Sequence, residues 1–261
     1  MRIAIFSDVH GNLTALEAVL ADIKQQAPDV TFFAGDLCLE GARPLACLQR
    51  LRQAGIPSVY GNTDEEVSQQ PLLSDDIEAE KQAHRRQADD NLSWTRAQLP
   101  EMERAWLREL PFFRRVSPST NPRHDILIVH ANPHDVHQHI YPSEAQQRAL
   151  YGEVKQPDAD PELSQLLNEL DIGILAFGHL HIPNIRHWYD DLTLANISSV
   201  SLPLDGDHRA KYGLFTWQNN KWTISHQYVP YDVEAELKHL AELQFPGWEE
   251  ISRQLQTAQK L

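Results

Sequence analysis

Seven side chains of types that bind metal ions are distributed along the first two thirds of the chain. They are Asp8, His10, Asp36, Asn62, His130, His179 and His181. Two carboxylates, one amide and four imidazoles form a mixed oxygen and nitrogen set, which suits Mn, Fe, Ni or Zn, whereas Mg or Ca alone would favour more oxygen. Asp8 and His10 are two positions apart, as are His179 and His181, so each pair points to one side of an extended segment. The set therefore predicts a site for divalent metal ions.

Short apolar segments predict buried strands immediately before these residues. The segments are 3–6, 30–34, 58–60, 126–129 and 172–177. The first three alternate with helical patterns in a βαβ rhythm, which favours a parallel sheet. Ligands of open α/β sheets bind outside the carboxyl ends of the strands, so we expect the polar residues to meet there.

Residues 74–110 differ in character from their surroundings. Residues 74–98 are highly charged and contain no Gly or Pro, which predicts one long helix. An apolar stripe at helical spacing follows, formed by Trp94, Leu99, Met102, Trp106, Leu107 and Leu110. One interpretation is a helical pair that packs on the domain through this stripe. The other is a lid over the site, because insertions of this size are often functional.

The rest of the chain shows no repeat, low-complexity tract or linker. Segments 211–217 and 222–228 flank Asn219 and Asn220, which predicts a β-hairpin, and residues 233–260 indicate helices. We therefore predict a single α/β domain over 1–261, with a helical insertion at about 74–110.

Composition narrows the possible partners and location. The formal net charge of −14 disfavours duplex nucleic acid, because an acidic surface repels its backbone. A small anionic substrate remains compatible, since bound cations make an acidic pocket locally positive. Cys38 and Cys47 lack a CxxC spacing, which favours reduced, buried thiols. The N-terminal apolar run is too short for a signal peptide or a membrane span, so we expect a cytoplasmic protein without a membrane partner.

Five short motifs resemble the signature of the calcineurin-like metallophosphoesterases, in order and rough spacing, across residues 3–183. The motifs are Asp8-Val9-His10-Gly11-Asn12, Gly35-Asp36, Gly61-Asn62-Thr63-Asp64, Val129-His130 and Gly178-His179-Leu180-His181. The later segment 196–212 resembles the small bacterial phosphodiesterase branch of that family.

The resemblance implies a two-sheet β-sandwich flanked by helices, with two divalent metal ions at one end. It assigns Asp8, His10 and His181 to one ion, and Asn62, His130 and His179 to the other. Asp36 would bridge both ions, and Asp36, Asn62 and His130 would act in catalysis. A hydroxide shared by the metals is the nucleophile that the resemblance implies, because coordination lowers the pKa of water toward neutrality.

The sequence departs from the family pattern at Thr63, where many members have a histidine that assists the leaving group. Thr63 cannot act as an acid near neutral pH, although the small phosphodiesterase branch also lacks this histidine. His134, His137 and His139 follow a predicted ligand closely, and any of them is either a substitute acid or part of an exposed polar loop.

Several other residues are candidates for substrate contact or for support of the ligands. They are Asn12, Thr63, Asp64, His134 and Arg209. Asp64 would orient a ligand or cap a helix. Arg209 would hold a phosphate through its planar donor fork, or form a surface ion pair with Asp205 or Asp207.

Three functions are compatible with these patterns. The leading one is hydrolysis of a small-molecule phosphodiester or phosphomonoester. The second is a nucleotide-specific hydrolase for a dinucleoside polyphosphate or cyclic nucleotide, with Trp94 or Trp106 stacking on a base. The third is a non-catalytic, metal-bearing scaffold protein. The natural substrate and the oligomeric state stay open.

Overall fold

A computed structural model describes residues 1–69, 81–188 and 192–259; over residues 81–89 it describes the helical backbone alone. In these parts of the chain, ten strands form two five-stranded sheets. The strands are β1 (Arg2–Phe6), β2 (Val30–Ala34), β3 (Ser58–Val59), β4 (Arg114–Val116), β5 (Ile126–Ile128), β6 (Ile174–Phe177), β7 (Asn184–Trp188), β8 (Leu192–Asn196), β9 (Ala210–Gln218) and β10 (Lys221–Val229).

Parallel strands form the part of each sheet from which the candidate ligands extend. The first sheet has the order β10-β9-β1-β2-β3, and the second has the order β4-β5-β6-β8-β7. β1, β2 and β3 are parallel, as are β5, β6 and β8. β9 is the antiparallel neighbour of β1, and β10 pairs with β9, again antiparallel. β4 and β7 are the antiparallel neighbours of β5 and β8. The carboxyl ends of each parallel group therefore share one edge.

Helices cover the outer faces of the sheets. Within the described residues the α-helices are α1 (Leu13–Gln26), α2 (Pro44–Ala54), α3 (Asn62–Ser68), α4 (Lys81–Gln98), α5 (Glu101–Arg108), α6 (Glu144–Tyr151), α7 (Pro161–Asn168), α8 (Val233–Glu242) and α9 (Trp248–Thr257). None of these helices is both long and apolar enough to cross a bilayer.

The apolar core divides into layers because alternate side chains of each strand point to opposite faces. Ile3 and Ile5 of β1 face Ile126 of β5 and Ile174 of β6 between the two sheets. On the opposite face of β1, Ala4 and Phe6 pack with α1 and α2, and α7 packs on the outer face of the second sheet. The structure therefore confirms the predicted two-sheet sandwich flanked by helices.

The predicted hairpin is present, and its turn follows from the residue types. β9 and β10 pair in antiparallel register around Asn219 and Asn220. Both asparagines have positive φ angles, 51° and 58°. Two consecutive residues with positive φ match the twist of the flanking strands, and Asn tolerates this conformation better than most residues.

The sequence patterns do not predict β4 or β7. β4 has only three residues, and its two arginines are exposed. β7 is polar and alternates between partly buried and exposed positions. Both strands lie at the edges of the second sheet. Short, charged edge strands carry little apolar signal, because such residues also prevent further strand pairing.

The described part of the insertion packs as a helical pair. The predicted helix over 74–98 is observed from Lys81, and residues 74–80 lie outside the described residues. Leu99 and Leu107 are buried in the core beside α1 and α2. Trp94 contacts Phe245 edge to face, with ring centroids 5.1 Å apart, and Trp106 stacks under the guanidinium of Arg52. These contacts favour the packing interpretation over base stacking.

We predict that Trp94→Ala lowers the free energy of unfolding by about 3 kcal/mol, because it removes a large aromatic side chain from a packed cluster. Met102→Ala is the matched control, since Met102 belongs to the same stripe but is 69% exposed. Thermal unfolding should show a large decrease for Trp94→Ala and little change for Met102→Ala. An unchanged melting temperature with altered preference among phosphate esters would favour the lid interpretation instead.

Candidate metal centre

The seven candidate ligands converge at the carboxyl edge of both sheets. Asp8 and His10 follow β1, and Asp36 follows β2. Asn62 is the first residue of α3, directly after β3. His130 follows β5, and His179 and His181 follow β6. Strands that are neighbours in a parallel sheet deliver their following loops to one place, which brings together residues up to 173 positions apart.

Asp8, His10 and His181 form a first buried cluster. Nε2 of His181 lies 3.1 Å from Oδ1 of Asp8 and 3.2 Å from Nε2 of His10. These three side chains thus direct one oxygen and two nitrogens into a common space. The assignment of the three residues to one ion agrees with this geometry.

Asp36, His130 and His179 form a second cluster beside the first. Nε2 of His130 lies 3.3 Å from Oδ2 of Asp36, 3.2 Å from Nδ1 of His179 and 3.0 Å from Oδ1 of Asn62. The amide oxygen of Asn62 therefore faces the same space as the ring nitrogens.

The Asp36 carboxylate lies between the two clusters. Its Oδ2 atom is 3.3 Å from Nε2 of His130 in one cluster and 3.9 Å from Nε2 of His10 in the other. Oδ1 accepts a hydrogen bond from the backbone N–H of Thr63 at 3.0 Å. That hydrogen bond orients the carboxylate, and the bridging role of Asp36 stays a prediction.

Main-chain carbonyl groups determine which ring nitrogen of each histidine faces the clusters. A carbonyl oxygen can only accept, so the nitrogen that contacts it must carry the proton. His10 donates to Leu39 at 3.0 Å and His130 to Ala34 at 2.9 Å through Nδ1. His181 donates through Nδ1 to the carbonyl of Leu202 at 2.8 Å. His179 donates through Nε2 to the carbonyl of His137 at 3.1 Å. When the rings are neutral, the opposite ring nitrogens have lone pairs directed into the clusters.

These tautomers fit a bound cation. In the neutral rings, lone pairs of His10 and His181 face each other at 3.2 Å, and those of His130 and His179 do the same. Two facing acceptors repel unless a proton or a cation lies between them. With two carboxylates and one amide oxygen in the same space, the donor set fits divalent cations that accept both nitrogen and oxygen.

The backbone is unusual at the candidate ligands. Asp8, His10, Asp36, His179 and His181 have φ angles between 46° and 65°. This left-handed region is disfavoured for residues with a Cβ, and such residues cluster at functional sites where the surroundings enforce the conformation. Asp8 donates its backbone N–H to Gly35, and His179 donates its own to the Asp8 carboxylate.

Two glycines make room for the carboxylates. A Cβ atom at Gly61 would lie 2.1 Å from Oδ1 of Asp36, and one at Gly178 would lie 2.3 Å from Oδ2 of Asp8. Neither position can carry a side chain without displacing a candidate ligand. This explains why each glycine directly precedes a ligand in the sequence.

Burial and ion pairing shift the pKa values in opposite directions. Burial alone would raise the pKa values of Asp8 and Asp36, but the neighbouring histidines lower both below the ordinary range. Burial would lower the pKa of His130, yet Asp36 and Asp8 raise it to about 9. Burial and the adjacent His130 lower the pKa of His179 to about 4. Both carboxylates are therefore ionised near neutral pH, as cation binding requires.

Asp64 combines the two roles considered for it. Its buried carboxylate accepts hydrogen bonds from the backbone N–H groups of Asp36, Leu37 and Gly61, at 2.8, 2.9 and 3.0 Å. The bond from Gly61 caps α3, and the bond from Asp36 fixes the backbone of that candidate ligand. Burial, reinforced by the charge of Asp36, raises the pKa of Asp64 to about 7. The hydroxyl of Thr63 is buried, with no hydrogen-bond partner among the described residues.

Asn12 and Arg209 have partners within the fold. Asn12 is buried and accepts a hydrogen bond from the backbone N–H of Ala15, which caps α1. Arg209 is exposed and binds Asp207 through two nitrogens, and its guanidinium lies over the ring of Tyr228. Arg209 thus forms the surface ion pair considered for it.

The histidines of the loop after β5 differ in their surroundings. His134 is exposed. His137 is half-exposed, and its Nε2 lies 3.1 Å from a carboxylate oxygen of Glu65. The ring of His139 lies 4.4 Å from that of His179, the smallest separation between a loop histidine and a candidate ligand among the ring contacts described. Sequence analysis missed the pairing of His137 with Glu65, because 72 residues separate the two.

Comparisons with known proteins give a consistent result. Residues 1–183 match the family model of the calcineurin-like phosphoesterases. An uncharacterized protein of Methanocaldococcus jannaschii is 25% identical over 262 residues, which covers 94% of each chain. A metallophosphoesterase from Sphaerobacter thermophilus superposes with a TM-score of 0.72 at 24% identity, covering 99% of this chain and 100% of the other. A hypothetical protein from Pyrococcus horikoshii OT3 superposes with a TM-score of 0.73 at 17% identity, covering 100% of this chain and 99% of the other.

The solved structures have the same fold, and the matched family segment includes all seven candidate ligands. It extends over well more than half of the 261 residues. The resemblance that the sequence motifs indicated is thereby confirmed, and this chain belongs to the calcineurin-like phosphoesterase family.

Proposed function

We propose that this protein is a metal-dependent phosphoesterase that hydrolyses a small-molecule phosphodiester or phosphomonoester. The observation that carries the proposal is the pair of adjacent buried clusters with the Asp36 carboxylate between them. An arrangement with two neighbouring ion sites and one shared carboxylate suits displacement at phosphorus, in which charge on both the attacking and the leaving oxygen must be neutralised.

Each cluster would hold one divalent ion. Asp8, His10 and His181 would hold the first ion, while Asn62, His130 and His179 would hold the second. Asp36 would contact both. Mn, Fe, Ni and Zn are the metals that match this mixed donor set. When bound, the ions would polarise the phosphoryl oxygens and lower the pKa of water, so that a nucleophile is available near neutral pH.

The protein's own contribution is orientation. Main-chain carbonyls hold the four imidazoles, the N–H of Thr63 holds Asp36, and Asp64 holds the backbone of both Asp36 and Gly61. Groups that support metal ligands in this way typically contribute about 10- to 100-fold in metal affinity or activity.

Protonation of the leaving oxygen lacks an assigned residue. Thr63 occupies the position where many family members have a histidine, and a threonine hydroxyl does not donate a proton near neutral pH. The leaving step would then depend on how well the departing oxygen carries negative charge. If His137 or His139 of the loop after β5 donated a proton to the leaving oxygen, the rate would depend less on the leaving group.

Metal content and the bridging role of Asp36 can be tested together. Protein purified without chelator should contain divalent metal by elemental analysis, and EDTA should abolish hydrolysis of bis-p-nitrophenyl phosphate. Asp36→Asn should lose metal and reduce kcat/KM by more than about 100-fold, the upper range for a supporting residue. Asn62→Ala should lose less metal and less activity, because Asn62 would contact one ion rather than two.

Asp29→Asn is the matched control for this experiment, since the carboxylate of Asp29 is 67% exposed and hydrogen-bonds the backbone N–H of Arg2, away from the clusters. Full metal occupancy with near-normal turnover in Asp36→Asn would remove Asp36 from the centre. Metal binding without hydrolysis of any phosphate ester would support the scaffold alternative.

We also predict that rates depend steeply on the pKa of the leaving group. Aryl esters such as p-nitrophenyl and bis-p-nitrophenyl phosphate should react faster than alkyl esters, because general acid assistance of about 100- to 10,000-fold is missing. Rates across a series of substituted phenyl phosphodiesters measure the slope. A shallow slope that becomes steep in His134→Ala, His137→Ala or His139→Ala would contradict the prediction and identify the substitute acid.

A further inference from the structure

A cavity of about 220 Å³ lies beside the metal centre. It is bounded by the loop after β5 on one side and by the start of α7 on the other. Its polar and apolar walls include Gln138, His139, Gln156, Glu162 and Leu163.

The cavity is next to the second ion site. His139 lines the cavity, and its ring lies 4.4 Å from that of His179. Asn132, another lining residue, follows His130 by two positions. The cavity is thus separated from the second cluster by no more than the rings of His139 and His179, which makes it the candidate site for the organic part of a phosphate ester.

The side-chain amides of Gln138 and Gln156 line this space and carry NH₂ donors. Asn132 uses its oxygen for two backbone N–H groups of its own loop, so its nitrogen donates to the oxygen of Gln138 at 2.9 Å. The oxygen of Gln156 accepts from the backbone of Tyr141 at 2.9 Å. Both glutamines are thereby oriented, and in the described part of the chain neither side-chain NH₂ group has a hydrogen-bond partner.

The opposite wall is acidic and partly apolar. The Asp160 carboxylate accepts hydrogen bonds from two backbone N–H groups at the start of α7, and Glu162 lies on the same turn. Leu163 and Leu166 complete this wall. No lysine or arginine is among the described residues that line the cavity, so its wall carries negative charge.

A buried amide holds the wall in place. Gln147 is fully buried, and its NH₂ group donates to the carbonyls of Pro142 and Gln156. Its oxygen accepts from the backbone of Lys155 and Gln156. All four hydrogen-bonding positions of this side chain are used, which fixes the segment that carries Gln156.

We propose that this cavity binds the alcohol part of the substrate and selects a small, uncharged or cationic group that bears hydroxyl or ammonium functions. The amide donors of Gln138 and Gln156 bind hydroxyl oxygens, and the carboxylates of Asp160 and Glu162 bind hydroxyl or ammonium hydrogens. A second anionic group is repelled, which disfavours a polyphosphate. The inference rests on the proposed phosphoesterase function.

Four p-nitrophenyl phosphodiesters test the selection, with 3-aminopropyl, 3-hydroxypropyl, n-butyl and 2-carboxyethyl as the second ester group. The 3-aminopropyl ester should exceed the 2-carboxyethyl ester in kcat/KM by at least about tenfold, the usual effect of one charge-assisted hydrogen bond. The 3-hydroxypropyl ester should exceed the n-butyl ester. Glu162→Lys should reduce the ratio of the 3-aminopropyl to the 2-carboxyethyl ester about tenfold or invert it. Gln138→Glu, which keeps the acceptor for Asn132, should reduce the ratio of the 3-hydroxypropyl to the n-butyl ester.

Glu169→Lys is the matched control, because Glu169 is exposed at the other end of α7 and outside the cavity; its ratios should equal those of the unmodified protein. Hydrolysis of all four esters with ratios near one, or ratios unaffected by Glu162→Lys, would overturn the inference while leaving the phosphoesterase function intact.

Saturation-transfer NMR with free 3-aminopropan-1-ol tests the cavity independently of catalysis. A saturation-transfer signal that is lost in Glu162→Lys but kept in Glu169→Lys supports binding of the amino alcohol in the cavity. If this signal is seen and no ester is hydrolysed, the proposed phosphoesterase function fails while binding in the cavity stands. Absence of contact in the unmodified protein, together with undiscriminating hydrolysis, overturns the inference.

Discussion

The arrangement of the site depends on hydrogen bonds between imidazole N–H groups and main-chain carbonyls. Four buried or nearly buried histidines donate in this way, to the carbonyls of Ala34, Leu39, His137 and Leu202. Each bond satisfies one ring nitrogen and leaves the other as an acceptor directed into a cluster. Because the acceptors belong to the backbone, the orientation of each ring is as rigid as the strand end or loop that supplies the carbonyl.

The same constraint connects the site to the sandwich. His130 extends from the second sheet, yet its acceptor carbonyl belongs to Ala34 of the first sheet. Asp8 extends from the first sheet and binds the backbone of His179, which follows a strand of the second. Each cluster combines side chains from both sheets, so the packing of the two sheets through their shared apolar layer sets the distances between the candidate ligands within each cluster. A change in sheet packing would alter the centre even if every ligand were retained.

Surrounding elements contribute in different ways. The described part of the insertion lies against α1 and α2 and the C-terminal helices through its apolar stripe, so its tryptophans belong to packed clusters. The loop after β5 contacts His179 of the second cluster through the carbonyl of His137 and the ring of His139. In the proposed function, selectivity among phosphate esters would arise in this loop and at the start of α7, whereas the residues after the strands would hold the metal ions.

Local patterns of the sequence predicted the parallel strands and the seven polar side chains that follow strands, because a buried strand and the polar residues after it are visible in a short segment. The two-sheet sandwich was predicted through the resemblance of the motifs to the calcineurin-like metallophosphoesterases. The sequence also determined the β9–β10 hairpin through Asn219 and Asn220. Only the tertiary structure decided the roles of Asp64 and Trp94, since their partners are main-chain groups or lie far along the chain, where residue type carries no signal. For Arg209 it chose between two roles that the sequence had left open, because Asp207 lies only two residues away. The amide orientations of Gln138 and Gln156 are likewise set by tertiary contacts, with the side-chain NH₂ group of Asn132 and the backbone N–H of Tyr141 respectively.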